Sequence, residues 1–131
     1  MPDATAVIEA FRTVGNQYEF AAQTGEELEN SLVRLEEIPS SASSELWILA
    51  HGQMTGVMQY TEKVRIYSFD GKGFKVRWAA PPKKSPEFRL AKDTVEITYE
   101  EEWEKHSPLM IQTLALTHEG LVVEKSLVPK K

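Results

Sequence analysis

The sequence predicts an α+β domain: two N-terminal helices packed on a curved antiparallel meander of six to seven strands, closing as a cone or partial barrel. Three observations carry that expectation. Apolar residues recur at helical spacing before Pro39, the period switches to two after Glu45, and glycine, proline and other turn residues then recur often enough to keep the strands short and sequentially connected.

The 131 residues include 41% hydrophobic and 27% charged side chains, the balance of a chain that folds unaided. At this length roughly two-thirds of the unfolded surface is buried on folding, so one core suffices. A single domain over 1–131 follows, helical over 1–39 and sheet over 45–128.

In the first helix, Val7, Phe11, Val14, Tyr18 and Ala21 recur at steps of four and three, which lines one face after a cap at Asp3 or Thr5. Gly15 costs about 1 kcal/mol relative to alanine inside a helix, so the helix bends or ends there. Thr24-Gly25-Glu26-Glu27 has the form of a capping box, and Leu28, Leu32, Leu35 and Ile38 follow at helical spacing. The β-branched Val33 and Ile38 leave a strand open over 32–38. Pro39 and the serine-rich 40–44 end the element and form a polar linker.

Leu46 to His51 is apolar on both faces, as a central strand requires, with His51-Gly52-Gln53 turning into a strand over 54–61. Val64–Phe69 and Phe74–Ala80 flank Asp70-Gly71-Lys72-Gly73. A three-residue loop, Gly71-Lys72-Gly73, keeps each face uniform, with Gly73 in the left-handed position. Val64, Ile66, Phe74, Val76 and Trp78 then share one face, and Lys63, Arg65, Tyr67, Phe69, Lys75 and Arg77 the other. Prolines 81, 82 and 86 cannot donate ladder hydrogen bonds, so 81–86 is expected as an exposed loop. From Thr94 to Trp103, Val95, Ile97, Tyr99 and Trp103 alternate with Glu96, Thr98, Glu100 and Glu102. A last hairpin, turning at Glu119-Gly120, places Leu114, Leu116, Leu121 and Val123 together.

The chemistry-bearing residues form few constellations. Arg65, Tyr67, Phe69, Lys75 and Arg77 make a basic face interleaved with aromatics, as a base-stacking platform would be. The competing reading sets that face beside the acidic stripe Glu96, Glu100 and Glu102, which would neutralise it across the ladder. A net charge of −5 makes nucleic acid an improbable partner, since its binders carry a basic footprint. His51, His106 and His118 lack metal-ligand spacing, so no metal is expected. Nucleophile elbows, phosphate loops and dinucleotide fingerprints are absent, which leaves no cofactor to expect and only analogy of architecture for an enzyme. With no cysteine, no leader-like N-terminus and no apolar run long enough to span a bilayer, the expectation is a soluble, cytoplasmic chain with no membrane partner.

The function expected on this basis is a non-catalytic binding module that engages a protein partner or encloses a small apolar ligand. His51, Tyr60, Trp78 and Tyr99 are the candidate ligand-lining residues. The alternatives are a small-molecule enzyme shaped like the cone of nuclear-transport-factor-2-like proteins, and nucleic-acid binding through the basic aromatic hairpin. A calycin-type barrel is a second architecture to test, and exposed Tyr67 and Phe69 would suit the interface of a homodimer.

Overall fold

The computed structural model describes residues 5–24, 28–29, 31–41, 45–53, 61–100 and 109–130, and among them every regular element is a β-strand. They are β1 (Thr5–Ala6), β2 (Glu9–Val14), β3 (Gln17–Gln23), β4 (Leu28–Glu29), β5 (Ser31–Ile38), β6 (Leu46–Gln53), β7 (Thr61–Phe69), β8 (Phe74–Ala91), β9 (Thr94–Glu100), β10 (Leu109–Leu116) and β11 (Val122–Pro129). β5 to β11 form one antiparallel meander in which each strand pairs with the next, while β1–β4 and β2–β3 are separate two-stranded ladders. The described part of the fold is therefore all-β, which overturns the α+β expectation.

Both expected helices are strands for local reasons. Gly15 takes φ 62°, and with Asn16 it makes the two-residue link between Val14 and Gln17, which pair across the hairpin. Glycine at the first central position is the chemistry of a type II′ hairpin turn. Phe11 and Tyr18, which a helix would align along one face, instead lie on facing strands. Thr24 uses its hydroxyl as a cap would, but on a distant donor: Ile8 N–H donates to Thr24 Oγ1 (2.9 Å) and Thr24 N–H to the Ile8 carbonyl (2.9 Å). This reciprocal pair closes the base of the β2–β3 hairpin. In β5, the β-branched residues and pairing with the apolar β6 prevail over a helical spacing that is equally present.

β8 shapes the body of the molecule. Its first part, to Lys84, pairs with β7, and from Lys84 onward it pairs with β9. The sheet bends along this strand and wraps one core. Ile38, Trp47, Leu49, Val64, Ile66, Val95, Ile97, Tyr99, Leu114 and Leu116 are buried together there, with Trp78, Phe88 and Leu90 against them. The prolines expected to make a loop lie within this strand. Pro81-Pro82 sits where the β7–β8 register slips between Glu62 and Val64, and Pro86 where the β8–β9 register slips between Lys84 and Glu87. Both are bulges, the one place inside a sheet where a missing N–H is tolerated. Ser85 completes the bend with φ 47°.

The β7–β8 hairpin follows the expected register over its far half, Ile66 opposite Trp78 and Val64 opposite Ala80. A bulge then shifts it by one, so that Tyr67 faces Val76 and Phe69 faces Phe74. The loop is consequently 70–73, and Gly71 rather than Gly73 has the positive φ of 93°. Asp70 organises it, its Oδ1 accepting the N–H groups of Lys72 and Gly73 at 2.8 Å each. Phe74 and Val76 thereby leave the face they were expected to share with Trp78.

The last hairpin turns through 117–121 rather than a two-residue link, pairing Leu116 with Val122. Leu114 and Leu116 enter the core as expected, whereas Leu121 and Val123 are exposed. The alternation of β9 is as read, with Val95, Ile97 and Tyr99 buried. His51-Gly52-Gln53 continues β6 instead of turning.

Candidate functional site

Of the residues read as ligand-lining, His51, Trp78 and Tyr99 all face the core, while Tyr60 lies outside the described residues. His51 is 3% exposed and its ring lies 4.3 Å from that of Phe88, tilted by 32°. Its Nε2 is 3.9 Å from Glu36 Oε2 on β5, beyond hydrogen-bond reach. Trp78 sits beside Ile66 at the edge of the buried cluster. Tyr99 is buried under Lys83, whose ammonium lies 4.2 Å from the ring centroid. These three side chains fill and border the core.

The basic aromatic face is divided by the register shift. Tyr67 is 1% exposed, beneath Ile8 and against Phe74 and Ala50 on the outer side of the sheet, and Phe69 stacks on Phe74 at 4.8 Å. Neither ring is presented as a stacking platform. Arg65 Nη1 donates to the carbonyls of Val64 (2.9 Å) and Ala80 (3.3 Å), and Lys75 is exposed. Arg77, the extra residue of the bulge, reaches Ser68 Oγ (2.7 Å) and Glu45 Oε2 (3.0 Å) over the Trp47 ring. The acidic stripe finds its partners elsewhere, on β8, where Arg89 stands opposite Glu96 and Lys84 Nζ lies 2.9 Å from Glu100. Glu102 and His106 lie outside the described residues, and His118 is exposed in the 117–121 turn.

Among the described residues, the most exposed aromatic surface lies in the segment read as a helix. Phe11 opposite Phe20 and Thr13 opposite Tyr18 share one face of the β2–β3 hairpin, and Phe11, Tyr18 and Phe20 are 55%, 80% and 51% exposed. The two phenylalanines meet edge to face at 5.9 Å, so the pair is an ordered feature of the surface. The surface beside Phe11 and Tyr18 is shallow, open to solvent and apolar. The reverse face carries Arg12 directly across from Glu19, with the exposed Val14 beside them across from Gln17. Reading Gly15-Asn16 as a two-residue hairpin loop, flanked by the alternating Phe11-Arg12-Thr13 and Tyr18-Glu19-Phe20, would have found this face.

A smaller cleft of about 190 Å³ lies on the outer side of the second half of the sheet, lined by Ser85, Glu87, Thr98, Glu100, Leu109 and Lys130. It is below the usual volume of a ligand pocket, and its Glu100 is already engaged by Lys84. Among the described residues no three His, Asp or Glu side chains converge as a metal site would need, and no helix is long and apolar enough to cross a membrane. Compared with known proteins, the chain matches no family model, no curated protein and no solved structure.

Proposed function

We propose that this protein is a non-catalytic binding module whose contact surface is the aromatic face of the β2–β3 hairpin, and that what it engages is a protein. The observation that carries this reading is three aromatic rings of one hairpin face left more than half exposed. A hydrophobic surface of this kind is costly to leave in water and is the usual mark of an interaction site. Tyr and Phe are also the residue types enriched at interface centres. The body supports the reading by holding His51, Trp78 and Tyr99 within or beside its buried core.

A photoreactive phenylalanine analogue placed at position 18 in the producing cell tests it. A discrete covalent adduct is expected from position 18, absent from the same analogue at position 125 on β11 and lost when Phe11 and Phe20 are changed to serine. No adduct at position 18, or an equal one at position 125, would discard the reading.

A further inference from the structure

The β2–β3 hairpin meets the body of the molecule through a small apolar seat. Ile8, the residue before β2, is buried with Ala50 and Tyr67 in a cluster of their own, apart from the main core, and Phe74 packs against it. Tyr67 and Phe74 meet edge to face at 6.2 Å, and the bulge at Arg77 is what turns Phe74 to this side of the sheet. Thr24 fixes the same point from the end of β3 by its reciprocal bonds with Ile8. Beyond the seat, every residue from 11 to 20 is exposed.

From that seat, strand alternation decides which face is offered. Ile8 is buried, Glu9 exposed, and Ala10 half-buried opposite Ala22, so the side turned to the body runs from Ile8 through Ala10 to Arg12 and Val14. Phe11, Thr13, Tyr18 and Phe20 point the other way. The body holds a competing surface for those rings. Leu35, Leu46 and Val76 are exposed on the outer side of the sheet, opposite Ala50, Phe69 and Tyr67. Tethered to the hairpin, that surface is at high effective concentration and needs less area to capture the rings than a separate molecule does.

We infer that the seat of Ile8 on Tyr67 and Phe74 is a positioning device, which holds the aromatic face of the hairpin away from the chain's own apolar outer side and so keeps it open to a partner. This rests on the proposed role of the hairpin as a contact surface and says how that surface is kept available. With the seat weakened, the arm turns and its rings settle on Leu46 and Val76. The apparent affinity for a partner then falls with the fraction of molecules whose rings remain open. Ile8, Tyr67 and Phe74 act through Phe11, Tyr18 and Phe20 and are positioning residues only.

The absence of cysteine allows spin labels at Gln17→Cys on the hairpin and Glu37→Cys on the outer side of β5, with the distance between them read by double electron–electron resonance. One narrow distribution is expected with Ile8 in place, a broader one with a shorter-distance population in Ile8→Ala, and recovery in Ile8→Val. Phe74→Leu weakens the seat from the body side and should reproduce the Ile8→Ala result, so the test does not hang on one variant. The photoreactive analogue at position 18 gives the second readout. In Ile8→Ala its adduct with another protein should fall at least about threefold, while cross-links within the chain, to the peptides holding Leu46 and Val76, should appear. A distribution already broad with Ile8 in place, one unchanged in both Ile8→Ala and Phe74→Leu, or an adduct indifferent to Ile8→Ala would each overturn the inference. In the last case the contact role survives and only the positioning role fails. If position 18 captures no protein even with the seat intact, both fail.

Discussion

At the scale of single residues, Arg77 and Gly120 report on one another. A Cβ added at Gly120 would sit 2.8 Å from Arg77 Nη1, and the residue has φ 81°. The guanidinium cannot retreat without loosening its bonds to Ser68 and Glu45. Gly120→Ala should cost about 2 kcal/mol, part left-handed strain and part the disturbed pairs. Arg77→Ala in the same chain should remove only the second part. A double-mutant cycle read by denaturant unfolding checks this, with a coupling of at least about 0.5 kcal/mol expected. Asp70 supports a second test. The N–H groups of Gly73 and then Lys72 favour its ionised form and hold the carboxyl below its ordinary value of 3.8. A lowered pKa stabilises the folded state above the unfolded value, and the contribution fades as pH falls through the folded one. The Asp70→Asn chain should therefore lack one component of the acid-induced loss of stability that the wild type shows below about pH 4. Parallel acid titrations of the two chains, followed by circular dichroism, measure the difference.

Among the elements, the base of the β2–β3 hairpin is held by Thr24. Thr24→Val removes the acceptor of the Ile8 N–H at a buried position and should cost about 1–2 kcal/mol. Faster hydrogen exchange at Ile8 and Ala10 than in the β9 amides would show that the loss is local. The same hairpin shows where the sequence could be read and where it could not. Strand alternation was legible in β9, where a polar outer row and an apolar core row leave one register, and in β6, whose two apolar faces match burial on both sides. The helices were misread because Phe11, Val14 and Tyr18 satisfy the helical period by coincidence, and because Gly15, read as a bend or end of a helix, is the first residue of a two-residue hairpin turn. The β7–β8 register was legible only as far as Ile66. The bulge beyond it is set by the Asp70 loop, whose preference for Phe69 opposite Phe74 conflicts with the register of the core. One extra residue, Arg77, absorbs the mismatch. The prolines of β8 failed as breakers for the same reason, because a bulge supplies a place without a ladder partner and bulges leave no periodic trace. Of the candidate site, the residues facing the core were legible as apolar periodicity, whereas the exposed hairpin face was hidden by the helix assignment.

For the whole molecule, the bend along β8 must be closed by contacts between elements far apart in sequence. Asp93 is one such junction. Its Oδ1 accepts Ser40 Oγ–H and Ser41 N–H at 2.8 Å each, and its Oδ2 accepts Ser41 Oγ–H at 2.7 Å. Its own N–H donates to the Pro39 carbonyl (2.7 Å), and its carbonyl accepts the Leu116 N–H (2.9 Å). Asp93→Ala should cost about 2–3 kcal/mol through the lost charged hydrogen bonds. The denaturant midpoint should fall at constant slope, because the surface exposed on unfolding is unchanged.

The strictly sequential order of the meander bears on how the chain acquires its structure in time. Every ladder from β5 to β11 joins neighbours along the chain, through links as short as Lys92-Asp93, so each closes a small loop and can zip onto the last. Contacts that span long stretches, Asp93 with Ser40 and Arg77 with Glu45, have nothing to join until those ladders exist. Substitutions in the Asp70 turn should slow folding, whereas Ser41→Ala, which removes only a long-range hydrogen bond to Asp93, should leave the folding rate nearly unchanged and accelerate unfolding, which the two limbs of a chevron plot separate.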